Sequence, residues 1–413
     1  MDEVDACLAA KAVERSLAAA VEKEPDVHAW VSFDPEAARQ IAASIDESGA
    51  APGKLPLRGT TLGVKDIFDS ADHHSRYGSS IYVDNRPTAD AAALALLRRA
   101  GSVCLGKTVT TELAMYHPGP TRNPLRPTHT PGGSSSGSAA AVAAGMADIA
   151  LGTQTAGSVI RPASFCGVWG FKPTFGAASV AGIKLLAPSL DTIGWFARSA
   201  DLLDMVHEVL TGKSPAPRLD HPPTIQLVRT EQWEMADTSS RDALLEAGRR
   251  ARSAGATVID GDLPTPMIGL ADLHPIVHAF EATRALAWEL DTHADELSDS
   301  LREILGWGAS IDVTTYDDAR RQASIGRRAE ADLFGTSDVL LTPATTGEAL
   351  EGLQSTGDPR FARLWTLLGW PSVSVPGLVG ATGLPVGVQV VGRAGDDRTV
   401  LACARWLGDL LAS

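Results

Sequence analysis

The pattern of hydrophobic and polar positions alternates along the chain between helical segments and short β-branched runs. In residues 89–106, Leu94 and Leu97 belong to a predicted helix, Gly101 is placed to end it in a left-handed conformation, and residues 103–105 form a predicted strand. Residues 244–259 repeat this order, with Gly255 between a helix and a strand. Such alternation is typical of an α/β protein whose sheet is covered by helices.

Further predicted strands lie in the last fifth of the chain, at residues 339–341, 373–375 and 386–391. A closing helix then places Val400, Ala404, Leu407 and Leu411 on one face. No long linker, low-complexity tract or internal repeat interrupts the chain, so we expect a single domain over residues 1–413. Residues 201–334, richer in charge and helical pattern, are expected to form a peripheral layer, and residues 335–413 to complete the sheet.

The composition narrows the classes of partner. The 413 residues include 50 acidic and 36 basic side chains, giving a formal net charge of -14, so we expect neither nucleic acid nor an anionic membrane as a partner. Four scattered cysteines match no metal-ligand spacing, which argues against a disulfide framework or a zinc site. The first residues resemble no signal peptide and no segment is apolar enough to span a bilayer, so a cytoplasmic location is predicted.

A first glycine-rich stretch, GGSSSGS at 132–138, resembles a loop that enters a helix of small residues. A serine at such a junction can simply cap the helix, and helix N-terminal amides can also bind phosphate. The stretch lacks the lysine and the spacing of a P-loop, so nucleotide binding is not expected.

A second stretch, GTQTAGS at 152–158, follows the apolar run at 149–151. Consecutive backbone amides of Thr155, Ala156, Gly157 and Ser158 could converge on one point, as an acyl-transfer oxyanion requires. Upstream, Lys65 lies in an apolar segment, and a neutral lysine can take the proton of a serine when no histidine is available. A lysine and two serine loops therefore indicate a hydrolase.

These motifs together resemble the amidase signature family. The similarity rests on GGSSSGSAAAV at 132–142 and GSVIRPA at 157–163, and extends to GVKDI at 63–67, FKPT at 171–174, SLDTIG at 189–194 and GLPVGVQ at 383–389. Segments 151–155, 280–289 and 355–360 resemble the short, single-chain malonamidase branch in particular. The resemblance implies one domain with a large twisted mixed sheet covered by helices on both faces, a signature core at about 60–200 and no cofactor or metal.

The resemblance also implies a role for each residue of a triad. Ser158 matches the acylating nucleophile, Lys65 the terminal base, and Ser134 a bridging serine that follows a cis peptide bond after Gly133. Ser135 would support them by hydrogen bonding. The base must be neutral, and lowering a lysine pKa from about 10.4 to near 7 requires roughly 4 to 5 kcal/mol of destabilisation of the charged form. On local sequence alone, a surface lysine paired with Asp66 is the alternative.

Two further residues are candidates for substrate binding. Arg161 lies three positions after Ser158, and in the malonamidase-like branch the matching arginine binds the carboxylate of a small amide. A structural salt bridge is the alternative explanation for this arginine. His278 stands where that branch tends to have another polar side chain, so it is a second candidate for substrate recognition.

Two departures from the family pattern, and two competing sites, bear on this assignment. Ala156 stands where glycine is common, and its methyl group is tolerated only if this residue has a negative φ. Trp195 stands where proline is frequent, and its ring either narrows a pocket or fills the core. A metal site is not expected from the polar loop that holds Asp69, Asp72, His73 and His74. Nor do we expect a Cys-Glu-Lys site from Cys166, Glu112 and Lys65, because Cys166 lies in an apolar turn.

The sequence therefore predicts a serine amidase that cleaves a small, carboxylated amide through an acyl-enzyme. The alternative within the same family is the ammonia-generating component of a glutamine-dependent amidotransferase complex, which needs partner chains. The same serine could also cleave esters, carbamates or aryl amides, and a non-catalytic binding protein is a third class. The expected partner is a small-molecule amide, and the resemblance is compatible with a homodimer.

Overall fold

A mixed β-sheet runs through the computed structural model, which describes residues 7–48, 50 and 53–412. Residues 1–6, from which we predict that no signal peptide is present, lie outside the described residues. The described residues contribute 11 strands to this sheet. They are β1 Trp30–Phe33, β2 Thr61–Lys65, β3 Val103–Thr108, β4 Ile149–Gln154, β5 Trp169–Lys172, β6 Thr192–Ala197, β7 Thr224–Val228, β8 Thr257–Gly261, β9 Val339–Pro343, β10 Ser372–Val375 and β11 Val388–Val391.

The strand order is β1-β3-β2-β4-β6-β5-β10-β11-β9-β7-β8. Strand β2 is parallel to both β3 and β4, and β7 is parallel to both β8 and β9. The remaining neighbours are antiparallel. The predicted α/β fold with a single mixed sheet is confirmed.

Helices cover both faces of the sheet. Within β4, Ile149 and Leu151 pack in one hydrophobic cluster, whereas Ala150 packs in another with Val142 and Val159. All six residues of β4 are buried, as expected for a strand covered on both sides. The helices of at least five residues are α1 Leu8–Val27, α2 Pro35–Glu47, α3 Ala92–Arg99, α4 Ser136–Ala143, α5 Ile160–Cys166, α6 Ala200–Thr211, α7 Thr238–Ser253, α8 Leu270–Ala285, α9 Ala287–Thr292, α10 Asp299–Ser310, α11 Val313–Arg328, α12 Glu330–Phe334, α13 Arg360–Leu368 and α14 Asp397–Leu411.

Most predicted elements have counterparts in the structure. Helix α3 is followed by Gly101 at a φ of 94° and then by β3, and α7 is followed by Gly255 and β8. The segment at 201–334 does contain seven helices, α6 to α12, but it also supplies β7 and β8 at one edge of the sheet. This segment is therefore more than a peripheral layer, because Ile225 and Leu227 of β7 are core residues.

Parallel pairing of β2 with β4 brings the chemical motifs together. Val64 pairs with Leu151, so the carboxyl ends of both strands lie at the same edge of the sheet. Lys65 ends β2, and the loop containing Ser158 follows β4. Ser134 lies just before α4, which packs against β4 and α5. The three candidate residues thus meet although up to 93 positions, from 65 to 158, separate them along the chain.

Two further properties of the described residues are relevant to function. None of the helices in this part of the chain has both the length and the apolar stretch needed to cross a membrane. In residues 7–48, 50 and 53–412, no group of three His, Cys, Asp or Glu side chains is arranged to hold a metal ion.

Candidate active site

A buried lysine contacts one of the two candidate serines. The Nζ atom of Lys65 donates hydrogen bonds to Ser134 Oγ at 2.8 Å and to Thr153 Oγ1 at 2.7 Å. Lys65 and Ser134 are 0% and 4% exposed. Asp66, the alternative partner for Lys65, instead pairs with Lys107 at 2.9 Å. The arrangement can pass a proton between a serine hydroxyl and an amine that is shielded from water.

Burial favours the neutral form of this amine. Desolvation lowers the pKa of Lys65 from 10.5 to about 7, while the negative charge of Asp191 opposes the shift. Asp191 is itself buried and accepts hydrogen bonds from Thr155 Oγ1 and from the backbone amides of Leu186 and Ala187. Near pH 7, a substantial fraction of Lys65 is therefore neutral and able to accept a proton.

Ser158 shares a small cavity with Ser134. Ser158 is 8% exposed, and the cavity beside it has a volume of about 50 Å³. This size admits only a small substrate group or a few water molecules. The cavity is lined by Thr111, Ala114, Met115, Tyr116, Ser134, Thr155, Ala156, Ser158, Arg161, His278, Thr356, Gly357 and Pro359.

The loop between β4 and α5 presents a row of backbone amides beside this cavity. Thr155, Ala156 and Ser158 line the cavity, and Gly157 lies between them. Within the described part of the chain, the N–H groups of Ala156, Gly157 and Ser158 donate to no other group. Ala156 does not have a positive φ, so its methyl group is compatible with this loop. Free N–H groups of this kind can stabilise a developing negative charge.

The supporting residues of the first serine loop hold it in close contact with its neighbours. The peptide bond between Gly133 and Ser134 is cis. A Cβ atom on Gly133 would lie 2.7 Å from Thr356 Cγ2, so there is no room for a side chain there. Ser135 Oγ donates to Thr153 O at 3.3 Å and therefore connects the loop to β4. Thr153 is also the second hydrogen-bond partner of Lys65.

Arg161 is buried without a counter-ion. One nitrogen, Nη2, donates to Gly133 O at 2.7 Å and to Thr356 Oγ1 at 3.2 Å, whereas Nε and Nη1 have no partner among the described residues. Arg161 forms no salt bridge within that part of the chain, and burial lowers its pKa from 12.5 to about 10. A guanidinium at 5% exposure with two unused donors can bind an anionic group in the cavity.

His278 faces the same cavity from α8. Its Nε2 atom is buried and has no partner in the described chain, and desolvation lowers its pKa to about 4. The imidazole is therefore neutral near pH 7 and has one nitrogen that donates and one that accepts a hydrogen bond.

The residues considered for other roles, Trp195, Cys166 and Glu112, lie in structural rather than catalytic surroundings. Trp195 is fully buried in β6, where its Nε1 donates to Leu203 O at 2.9 Å, so it fills the core. Cys166 is buried, and burial raises the pKa of its thiol. The carboxylate of Glu112 accepts a hydrogen bond from the Ser298 amide at 3.1 Å. Cys166 and Glu112 are absent from the residues that line the Ser158 cavity.

Several residues of this site were missed in the sequence analysis. Thr153 lies in the stretch at 152–158 and Asp191 in the motif at 189–194. For Thr153 the alternation of side chains along a predicted strand could have indicated an inward position, but no local pattern indicates a role for Asp191. His274 and Thr366 reach the loop at 155–158 from α8 and α13, and no local pattern marks either of them.

Comparison with known proteins places this chain in a family. The chain is 33% identical to a glutamyl-tRNA(Gln) amidotransferase subunit of Solidesulfovibrio magneticus, over 98% of this chain and 94% of the relative. A crystal structure of an amidase superposes with a TM-score of 0.89 at 31% identity, covering 99% of each chain. The peptide amidase of Stenotrophomonas maltophilia superposes with a TM-score of 0.80 at 27% identity, covering 97% of this chain and 93% of that one. The family model described as Amidase matches residues 11–401, and the chain therefore belongs to the amidase signature family.

Proposed function

We propose that this protein hydrolyses the C–N bond of a small, carboxylated amide through an acyl-enzyme on Ser158. The observation that carries the chemistry is the buried lysine, whose Nζ lies 2.8 Å from Ser134 Oγ beside the Ser158 cavity. Membership of the amidase signature family supports the reaction class.

In the proposed mechanism, neutral Lys65 accepts the proton of Ser134 while Ser134 accepts the proton of Ser158. Ser158 Oγ then forms a bond to the amide carbon, and the carbonyl oxygen becomes an oxyanion that accepts hydrogen bonds from the amides of the 155–158 loop. The relay returns the proton to the leaving nitrogen, the C–N bond breaks, and ammonia or an amine departs. Water attacks the acyl-enzyme along the same relay and releases the carboxylic acid.

Arg161 defines the proposed substrate class. Arg161 lines the cavity together with Ser158, and two of its nitrogens have no partner in the described chain. Leaving a buried guanidinium without an anion is unfavourable. A carboxylate on the acyl part of the substrate would satisfy them, and His278 Nε2 offers one further polar contact. The small cavity restricts that acyl part to a short chain. The monoamide of malonic acid is a substrate of this kind.

Replacing Arg161 by methionine should lower kcat/KM for a carboxylated amide by about 30-fold to 5,000-fold, the range expected when one partner of a buried charge pair is lost. Hydrolysis of an uncharged amide of similar size, such as propionamide, should change much less. The ratio of the two kcat/KM values is the measurement, because it cancels a general loss of folded enzyme.

The control variant is Arg393→Met, which removes donors to the carbonyls of Ser337 and Gly335 and leaves the cavity residues in place. It should leave the substrate ratio unchanged. An Arg161→Met ratio equal to that of the wild type would refute carboxylate recognition by Arg161.

Tyr116 sets the outer wall of the same cavity. This residue, with Thr356 and Gly357, lines both the cavity and an outer depression of about 730 Å³. Tyr116 is 45% exposed and has a φ of 28°, a backbone conformation that non-glycine residues rarely adopt. Tyr116 therefore lies at the boundary between the cavity and the open depression, and we propose that its ring separates them.

Replacing Tyr116 by alanine should join the two spaces and admit longer acyl chains. Across the monoamides of malonic, succinic, glutaric and adipic acids, we expect the kcat/KM ratio of the longest to the shortest substrate to rise at least tenfold. Phe175→Ala, which removes an exposed aromatic ring outside the cavity, should keep the wild-type profile. An unchanged profile for Tyr116→Ala would show that another residue limits chain length.

A second candidate is the ammonia-generating component of a glutamine-dependent amidotransferase complex. The curated relatives favour this candidate, since they share a name as subunits of glutamyl-tRNA(Gln) amidotransferase. The chemistry of the cavity favours the first, because the α-ammonium group of glutamine needs an acidic partner and no carboxylate is among the described residues that line the cavity. Asp358, which lies nearby, is already bound to Arg360.

Ammonia release by the isolated chain separates the two candidates. Turnover of short carboxylated monoamides, such as the monoamide of malonic acid, without turnover of glutamine supports the first. Glutamine hydrolysis that appears only with partner chains and an aminoacyl acceptor supports the second.

A further inference from the structure

Three successive backbone carbonyls in the loop after β4 each accept a hydrogen bond from a different element. His274 Nε2 donates to Thr155 O at 2.7 Å, and Thr366 Oγ1 donates to Ala156 O at 2.8 Å. The amide of Arg161 donates to Gly157 O at 2.9 Å. His274 lies on α8 and Thr366 on α13, so two distant helices fix a loop of the active site.

These contacts determine where the loop amides point. A trans peptide is planar, so its C=O and the following N–H point in opposite directions. The only cis bond in the described chain joins Gly133 and Ser134, and the loop peptides are therefore trans. Anchoring the carbonyls of Thr155 and Ala156 therefore turns the N–H groups of Ala156 and Gly157 away from the anchoring side chains. These two N–H groups have no partner in the described chain.

The donor side is itself held in a buried network. Gln154 Nε2 donates to Thr366 Oγ1 at 3.0 Å, which leaves the hydroxyl proton of Thr366 for Ala156 O. The other end of Gln154, Oε1, accepts from the amides of Val159 and Ile160 at 2.9 and 3.1 Å. His274 is 1% exposed and burial lowers its pKa to about 3, so it stays neutral and carries its proton on Nε2.

We propose that Thr366 and His274 are positioning residues that aim the N–H groups of Ala156 and Gly157 at the transition-state oxyanion. This inference rests on the proposed acyl transfer by Ser158 and adds residues that never touch the substrate. Preorganised donors act mainly where charge develops, so loosening them should lower kcat and leave KM nearly unchanged.

The test removes one hydroxyl at nearly constant volume. Thr366→Val should lower kcat by about 10-fold to 100-fold, somewhat less than the loss of a direct oxyanion donor, with KM within about twofold of the wild type. Thr366→Ser keeps the donor and should recover most of kcat. The matched control is Thr342→Val, because Thr342 Oγ1 is buried and has no partner in the described chain, so the same change removes no hydrogen bond.

A second pair of variants tests the histidine. His274→Leu should reduce kcat in the same way, and His274→Gln, which keeps a side-chain donor, should reduce it less. His207→Leu is the control, because both ring nitrogens of this buried histidine lack partners among the described residues.

The outcomes separate this inference from the proposed function. Wild-type kcat in both Thr366→Val and His274→Leu would overturn the positioning role, as would a loss confined to KM or an equal loss in the control variants. Failure of the proposed function itself would appear elsewhere, as amide hydrolysis that survives the replacement of Ser158 by alanine.

Discussion

Ser158→Ala should lower amide hydrolysis by at least about 10⁴-fold, the scale seen when the nucleophile of a serine hydrolase is removed. The reason is chemical, since alanine offers no oxygen to form the acyl-enzyme. Ser158 is buried beside the free amides of its loop, so another group cannot easily replace it as the nucleophile. Steady-state release of ammonia from a carboxylated amide is the direct measurement.

A matched control excludes an indirect effect on folding. Ser374→Ala makes the same change at a fully buried serine whose Oγ has no partner in the described chain, and it should keep wild-type activity.

Ser134 is the competing nucleophile, because it is the serine in contact with Lys65. Labelling the wild type with a fluorophosphonate and mapping the modified peptide distinguishes the two residues. A label on Ser158 that disappears in Ser158→Ala is expected. A label on Ser134, with activity retained in Ser158→Ala, would reverse the two roles.

The architecture was largely predictable because helix ends and buried strands leave local signals. Gly101 and Gly255 follow helices, and both have positive φ values, as a left-handed helix end requires. Strand β7, which lies between β8 and β9, had no such signal, since its burial pattern is set by contacts with β9 at residues far along the chain.

The candidate site was predictable only in part, because some of its residues carry local sequence signals and others are brought in by tertiary contacts. Lys65, Ser134 and Ser158 belong to short motifs that can be recognised in the sequence itself. The effect of Asp191 on Lys65 and the anchoring of the 155–158 loop by Thr366 depend on tertiary contacts. Resemblance to a family can identify motifs in the sequence. The partner and direction of a hydrogen bond become known only from the folded structure.

The lysine makes a prediction about pH. Burial places the pKa of Lys65 at about 7, and the neutral amine is the form that accepts a proton in the proposed mechanism. Below that pKa the amine is charged and inactive, so kcat/KM should fall about tenfold for each pH unit of acidification. Above it, kcat/KM should reach a plateau, because the amine is then fully neutral. The inflection belongs to the free enzyme, since kcat/KM reports the pKa values of free-enzyme groups.

Lys65→Met should lower kcat/KM at pH 8 by about 10³-fold or more, since both proton transfers through Ser134 lose their terminal acceptor. Lys172→Met is the control, because Lys172 is equally buried, has its pKa lowered to about 7 and donates only to Pro173 O among the described residues. Since Lys172 lies outside the cavity lining, its variant should keep both the plateau and the inflection near pH 7. Loss of the inflection in Lys172→Met, with the inflection kept in Lys65→Met, would transfer the titrating role from one buried amine to the other.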